Sequence, residues 1–142
     1  MTTSETKTKR KKVLVIDDEV PFTRLLRLGL EGTHRFLVEV VNNPCDALSR
    51  AERFMPDIIL LDVMMPQLDG GDVAARFKDH PILRLVPIVF LTAAVQRDEV
   101  PRGNGLIGGL RFLAKPVDLH EVLHCLAECL EIPDAAPQRD FP

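Results

Sequence analysis

The chain has 142 residues, enough for one domain with a well-formed core. Its formal net charge of −3 argues against a nucleic-acid binder. No run approaches the roughly 18 apolar residues a membrane span needs, and the polar, basic start has no signal-peptide stretch. The three cysteines, Cys45, Cys125 and Cys129, are odd in number and widely spaced, and read as reduced thiols in a cytoplasmic protein.

Residues 1–12 carry Lys7, Lys9, Arg10, Lys11 and Lys12 against Glu5, and residues 1–11 are expected to be a solvated, disordered basic tail. The first strand is the apolar run Val13-Leu14-Val15-Ile16, stopped by Asp17 and Asp18. A helix follows in which Phe22, Leu25, Leu26 and Gly29 share a face, with Leu30 at its margin. Phe36 to Val41 alternates and is expected as a strand near an edge. Asn43 then caps a second helix with Pro44 at its first position, and Ala47, Leu48 and Ala51 face inward.

Ile58-Ile59-Leu60-Leu61, stopped by Asp62, and Ile88-Val89-Phe90-Leu91, stopped by Thr92, are continuous apolar runs. Such runs suit parallel strands buried on both faces. Between them Asp69 can cap a third helix carrying Val73 and Phe77, which ends before Pro81. Pro101, Gly103, Gly105, Gly108 and Gly109 leave the fourth helix short or irregular, near residues 96–101, followed by a mobile loop. Leu110 to Ala114 is the fifth strand. Leu119, Val122, Leu123, Leu126 and Leu130 form the apolar stripe of the last helix. The expected fold is α/β, a doubly wound five-stranded parallel sheet of flavodoxin-like order 2-1-3-4-5, spanning residues 12–131. Residues 132–142, with Pro133, Pro137 and Pro142, are expected as a C-terminal tail.

Ligands of open parallel sheets bind beyond the carboxyl ends of the strands. Here those ends bring Asp17, Asp18, Asp62, Thr92 and Lys115-Pro116 together. Clustered carboxylates repel one another, and a hard cation such as Mg2+ relieves that repulsion. Lys115 supplies a point charge for an anion and Thr92 a hydroxyl donor. The set suits a metal and a phosphoryl group held together, with a carboxylate as nucleophile. Singly, each residue is commonplace, as a turn, a cap or a surface charge. What distinguishes them is that all fall at the same end of their strands.

These motifs resemble the receiver domain of two-component response regulators. The resemblance rests on Val13-Leu14-Val15-Ile16-Asp17-Asp18-Glu19, Asp62-Val63-Met64-Met65-Pro66 with Asp69-Gly70, Thr92-Ala93-Ala94 and Lys115-Pro116. It implies that Asp62 is the phosphoacceptor and that Asp18 contacts Mg2+ directly, Asp17 through water and Met64 by its backbone carbonyl. Thr92 and Lys115 would bond phosphoryl oxygens, the Lys115–Pro116 bond would be cis, and Thr92 and Phe112 would form the switch. Met64 and Ala94 are apolar at positions that can orient a hydrolytic water, so slow self-dephosphorylation is expected, and a half-life of seconds would contradict it. The implied partners are a sensor histidine kinase or histidine phosphotransfer protein, and a downstream protein on the face of the fourth helix, fifth strand and fifth helix. A homodimer is left open.

The length leaves no room for an output domain, so a stand-alone signalling module rather than an enzyme is expected. A phosphorelay intermediate or phosphate sink would use the same residues. An aspartyl-nucleophile phosphatase would carry an acid where Met64 stands, and a flavin binder would need a phosphate-cradling loop after the first strand. His120 and His124 share the solvent side of the last helix and are not read as ligands. Cys125 and Cys129 are read as packing thiols near its margin.

Overall fold

The computed structural model describes residues 9–65, 70–93, 105–107 and 110–133. Its elements in chain order are β1 (Lys11–Ile16), α1 (Val20–Glu31), β2 (Phe36–Val41), α2 (Ala47–Phe54), β3 (Ile58–Asp62), α3 (Gly70–Lys78), β4 (Ile88–Thr92), β5 (Gly105–Ile107), β6 (Leu110–Ala114) and α4 (Leu119–Leu130). The sheet order is β2-β1-β3-β4-β6-β5. The five strands expected from sequence are parallel and take the 2-1-3-4-5 order, with β6 as the fifth. The chain belongs to the doubly wound α/β class, as expected.

The apolar runs are buried on both faces because alternate residues point to opposite sides. Val13 and Val15 of β1, Ile58 and Leu60 of β3, and Leu113 of β6 meet Leu26 and Leu30 of α1 and Val122, Leu123 and Leu126 of α4. On the other face Leu14 and Ile16, with Ile59 and Leu61, meet Ala47 and Ala51 of α2 and Val73 and Phe77 of α3. The residues named here are all under 6% exposed, so each strand of the centre anchors two cores at once.

Two local readings differ from expectation. In α1 the buried face is Thr23, Leu26 and Leu30, while Leu25 is 70% exposed. Leucines lie almost all round this helix, so periodicity alone cannot choose its inward face. Thr23 can sit inside because its hydroxyl donates to the Val20 carbonyl at 3.0 Å. The second difference is at the sheet edge. Where a loop was expected after the fourth helix, Gly105–Ile107 forms a sixth strand, antiparallel to β6. Only Gly108 and Gly109 separate these strands, a spacing typical of a hairpin.

Smaller details also bear on the sequence reading. The side chain of Asn43 accepts from the Cys45 amide at 3.0 Å, but it opens a 3₁₀ turn over Pro44–Asp46, and α2 begins after it. Cys125 is fully buried rather than marginal. Lys11 is already part of β1, and Ile132 packs on the α1–α4 core. Residues 1–8 and 134–142 of the two tails, the helix expected near residues 96–101, and Pro66, Asp69 and Ala94 lie outside the described residues. No helix is long and apolar enough to cross a membrane, among the described residues.

Candidate functional site

Register alone brings the acids together. Ile16 pairs with Leu61, so the next residues, Asp17 and Asp62, leave adjacent strands side by side. Asp62 lies opposite Leu91 and Thr92 opposite Ala114, which puts Thr92 and Lys115 at the same sheet end. The Lys115 amide donates to the Thr92 carbonyl at 2.9 Å, extending that ladder by one bond. The Lys115–Pro116 peptide is cis. Asp62 and Lys115 line a cleft of about 520 Å³ together with Asp18, Glu19, Met64 and Ala93.

The carboxylates crowd closely: one oxygen from each of Asp17, Asp18 and Asp62 lies within 4.8 Å of the others. Asp17, Asp62 and Thr92 are at most 3% exposed. Asp17 Oδ1 accepts from the Glu19 amide at 2.9 Å. Its Oδ2 is buried without a well-aligned hydrogen bond, and its close neighbour is the Lys115 ammonium at 2.7 Å. Asp62 Oδ1 accepts from the Met64 amide at 3.2 Å and lies 3.7 Å from the same ammonium. Glu19 Oε1 is 2.8 Å from Lys115 Nζ, which also sits over the Phe22 ring, 4.7 Å from its centroid.

Burial, and then the charge of Asp17, push the Asp62 carboxyl up from 3.8 to about 6. Burial also raises Asp17, against the lowering effect of Lys115. For Lys115, burial works against the charge, but its bonds to Asp17 and Glu19 outweigh it, and its pKa is raised. The site holds more negative charge than its one ammonium balances. An all-oxygen ligand set with a buried, poorly bonded carboxylate oxygen fits a hard divalent cation.

The strand ends are held from behind. Asn42 Nδ2 donates to the Asp17 carbonyl at 2.7 Å and to Thr23 Oγ1 at 3.1 Å, tying β1, β2 and α1 at one point. The Gly70 amide donates to the Val63 carbonyl at 3.1 Å, and a Cβ at Gly70 would lie 2.6 Å from the Asp62 carbonyl oxygen. Only a glycine lets α3 begin this close to the backbone of Asp62. Sequence reading brought together Asp17, Asp18, Asp62, Met64, Thr92 and Lys115, as the fold does. It gave no role to Glu19, Phe22, Thr23 or Asn42. Glu19 carried a signal in its adjacency to Asp17-Asp18, whereas the Phe22 and Asn42 contacts depend on how α1 and β2 dock. Phe112 stacks on Phe90 with ring centroids 5.3 Å apart, on the α2–α3 side of the sheet.

A parallel sheet with helices on both faces and an acidic cleft at its carboxyl ends places the molecule among doubly wound proteins whose chemistry sits at strand ends. Within that class, the family described as the response regulator receiver domain matches residues 13–127, and the chain belongs to it. Response regulator PleD from Caulobacter vibrioides is 42% identical over 108 residues, covering 75% of this chain but only 23% of PleD. A 14.6 kDa protein from Leptolyngbya boryana is 34% identical over 126 residues, 87% of this chain and 94% of the relative. Among solved structures, the receiver domain of sensor histidine kinase PA1611 from Pseudomonas aeruginosa PAO1 superposes with a TM-score of 0.73 at 27% identity, covering 87% of this chain and 99% of that one. That structure is described with a magnesium ion coordinated in its active-site cleft.

Proposed function

We propose that this receiver domain takes a phosphoryl group onto Asp62 from the phosphohistidine of a sensor histidine kinase or histidine phosphotransfer protein, and thereby switches a protein-interaction surface. The observation that carries the reading is one buried carboxylate sharing a cleft with two further acids and a single ammonium. Asp17, Asp18, Asp62 and the Met64 carbonyl would hold Mg2+. When bound, the ion supplies positive charge against the carboxylates and the phosphoryl oxygens.

The chain's own groups divide the remaining work. With a pKa of about 6, Asp62 is mostly ionised at neutral pH and can act as the nucleophile. The Met64 amide fixes Oδ1, leaving the other oxygen to attack phosphorus. The P–N bond of the donor breaks, and its electron pair stays on the imidazole nitrogen. Lys115 pairs with one phosphoryl oxygen and the Thr92 hydroxyl donates to another.

Movement of Thr92 toward the phosphoryl group opens space beside the Phe90–Phe112 stack. Phe112 has no hydroxyl, so the switch rests on packing. The responding surface includes β6 and α4. Incubation with Mg2+ and acetyl phosphate should add the mass of one phosphoryl group, read on the intact protein. The gain should vanish in Asp62→Asn and on chelation of the metal. A folded Asp62→Asn variant that still gains the mass rules out this acceptor.

A further inference from the structure

A second cleft, of about 590 Å³, opens where β4 and β6 begin, whereas the acidic site lies where those strands end. Such a volume suits a small organic molecule. Its walls are α3, the 3₁₀ turn at Leu83–Leu85, the starts of β4 and β6, and the last turn of α4. The lining is apolar except for Lys78, Arg84, Arg111 and the thiol of Cys129, and no carboxylate is among the described residues that line it. Glu128 of α4 reaches Arg111 at 3.2 Å, but the pair is exposed and cancels little charge. The Arg84 Nε donates to a neutral group, the Pro81 carbonyl, at 3.2 Å. The cleft is therefore a positive pocket with a nucleophile in its wall. Cys129 is half-buried, and Cys125, one helical turn before it, is fully buried. A hydrogen bond from Cys125, helped by the Arg111 guanidinium and opposed by burial and Glu128, lowers the Cys129 thiol from 9.0 to about 7.

We propose that Cys129 is a thiol-modification site that forms a mixed disulfide with an acidic, low-molecular-weight disulfide of the type of oxidised glutathione. The Cys129 thiolate attacks one sulfur of that disulfide and forms a new sulfur–sulfur bond. The old sulfur–sulfur bond breaks, and its electron pair leaves on the second sulfur as a free thiolate, which takes a proton from water. One disulfide is consumed and one is formed, so no further oxidant is needed. Lys78 and Arg84 face the incoming carboxylates, while the apolar floor takes the rest of the molecule. Cys125 supports the thiolate but does not displace the bound group. Side chains four apart on a helix hold their Cβ atoms about 5–6 Å apart. A disulfide needs roughly 3.5–4.5 Å, so a Cys125–Cys129 bridge would require α4 to distort. The mixed disulfide therefore persists. Cys125 packs as its place in the apolar stripe suggests, whereas Cys129 does more than pack.

The test treats the full chain at low salt and pH 7 with oxidised glutathione, follows intact mass, and locates the added group by peptide mapping. The first glutathionyl group should appear on Cys129 rather than on the exposed Cys45, and dithiothreitol should remove it. Cys129→Ser should abolish this first addition and Cys45→Ser should leave it. The rate should rise with pH and level off above about pH 8, where the thiolate is fully formed. Lys78 and Arg84 are exposed, so the double variant Lys78→Gln, Arg84→Gln should fold as wild type does. It should react about tenfold more slowly with oxidised glutathione, the low end of electrostatic steering, and at an unchanged rate with the neutral hydroxyethyl disulfide. A first group on Cys45, or no addition to wild type, overturns the inference. So does a loss of two hydrogens that maps to a Cys125–Cys129 bridge. Equal slowing of the double variant toward both disulfides, or no slowing toward either, overturns the assignment of an acidic ligand.

Discussion

Asp62 meets two demands that conflict. It is buried at the end of β3, and under the proposed function it must be charged to attack phosphorus. Its pKa of about 6 is the result, with burial first and the charge of Asp17 second among the causes. Below the unfolded value of 3.8 both folded and unfolded chains are protonated there, so the group costs nothing. As pH rises from about 4 through about 6, the unfolded chain ionises first and the folded chain holds its proton longer. Stability falls across that window. Asp17, also raised, acts in the same direction. Urea denaturation at a series of pH values should show this decline, Asp62→Asn should reduce it, and added Mg2+ should oppose it. A folded protein whose stability rises steadily from pH 4 to pH 7 would contradict this account of the site.

Among elements, α1 and α4 show what a pattern can and cannot tell. The α4 stripe was legible because its apolar residues are confined to one side, and Val122, Leu123 and Leu126 are all fully buried. In α1 leucines occur on several sides, so only docking against β1 and α4 settles which turn inward. Leu123→Ala should therefore cost about 2–5 kcal/mol. Leu25→Ala should fall within about 0.5 kcal/mol of wild type. Chemical denaturation of the two variants side by side checks both. A large loss for Leu25→Ala would restore the inward face expected from sequence. The β5 strand was missed for a related reason. Glycines at 103, 105, 108 and 109 argue against a helix, but by themselves they do not distinguish a loop from a short antiparallel edge.

For the molecule as a whole, fold and acidic cleft were both readable because they share one cause. Continuous apolar runs define buried parallel strands, and the polar residues that stop those runs must then gather at one end of the sheet. Thr23, Asn42 and Phe22 were not readable as partners of that cleft, since their contacts cross between elements whose packing no local pattern encodes. The central strands place side chains in both cores, so neither layer can be lost alone. Urea unfolding followed by far-ultraviolet circular dichroism and by hydrogen-exchange protection of the two faces should give one coincident transition. Separate transitions for the α1–α4 and α2–α3 faces would show that the layers are independent.

The antiparallel strand also changes what the rim of the sheet offers. With β5 laid along it, β6 has hydrogen-bonded neighbours on both sides, β4 and β5. A protein that recognises its target by lengthening a sheet would find no open ladder on β6. It would have to meet one of the two border strands, β2 or the three-residue β5, or first strip β5 away, which makes β5 a guard on the strand that carries Phe112.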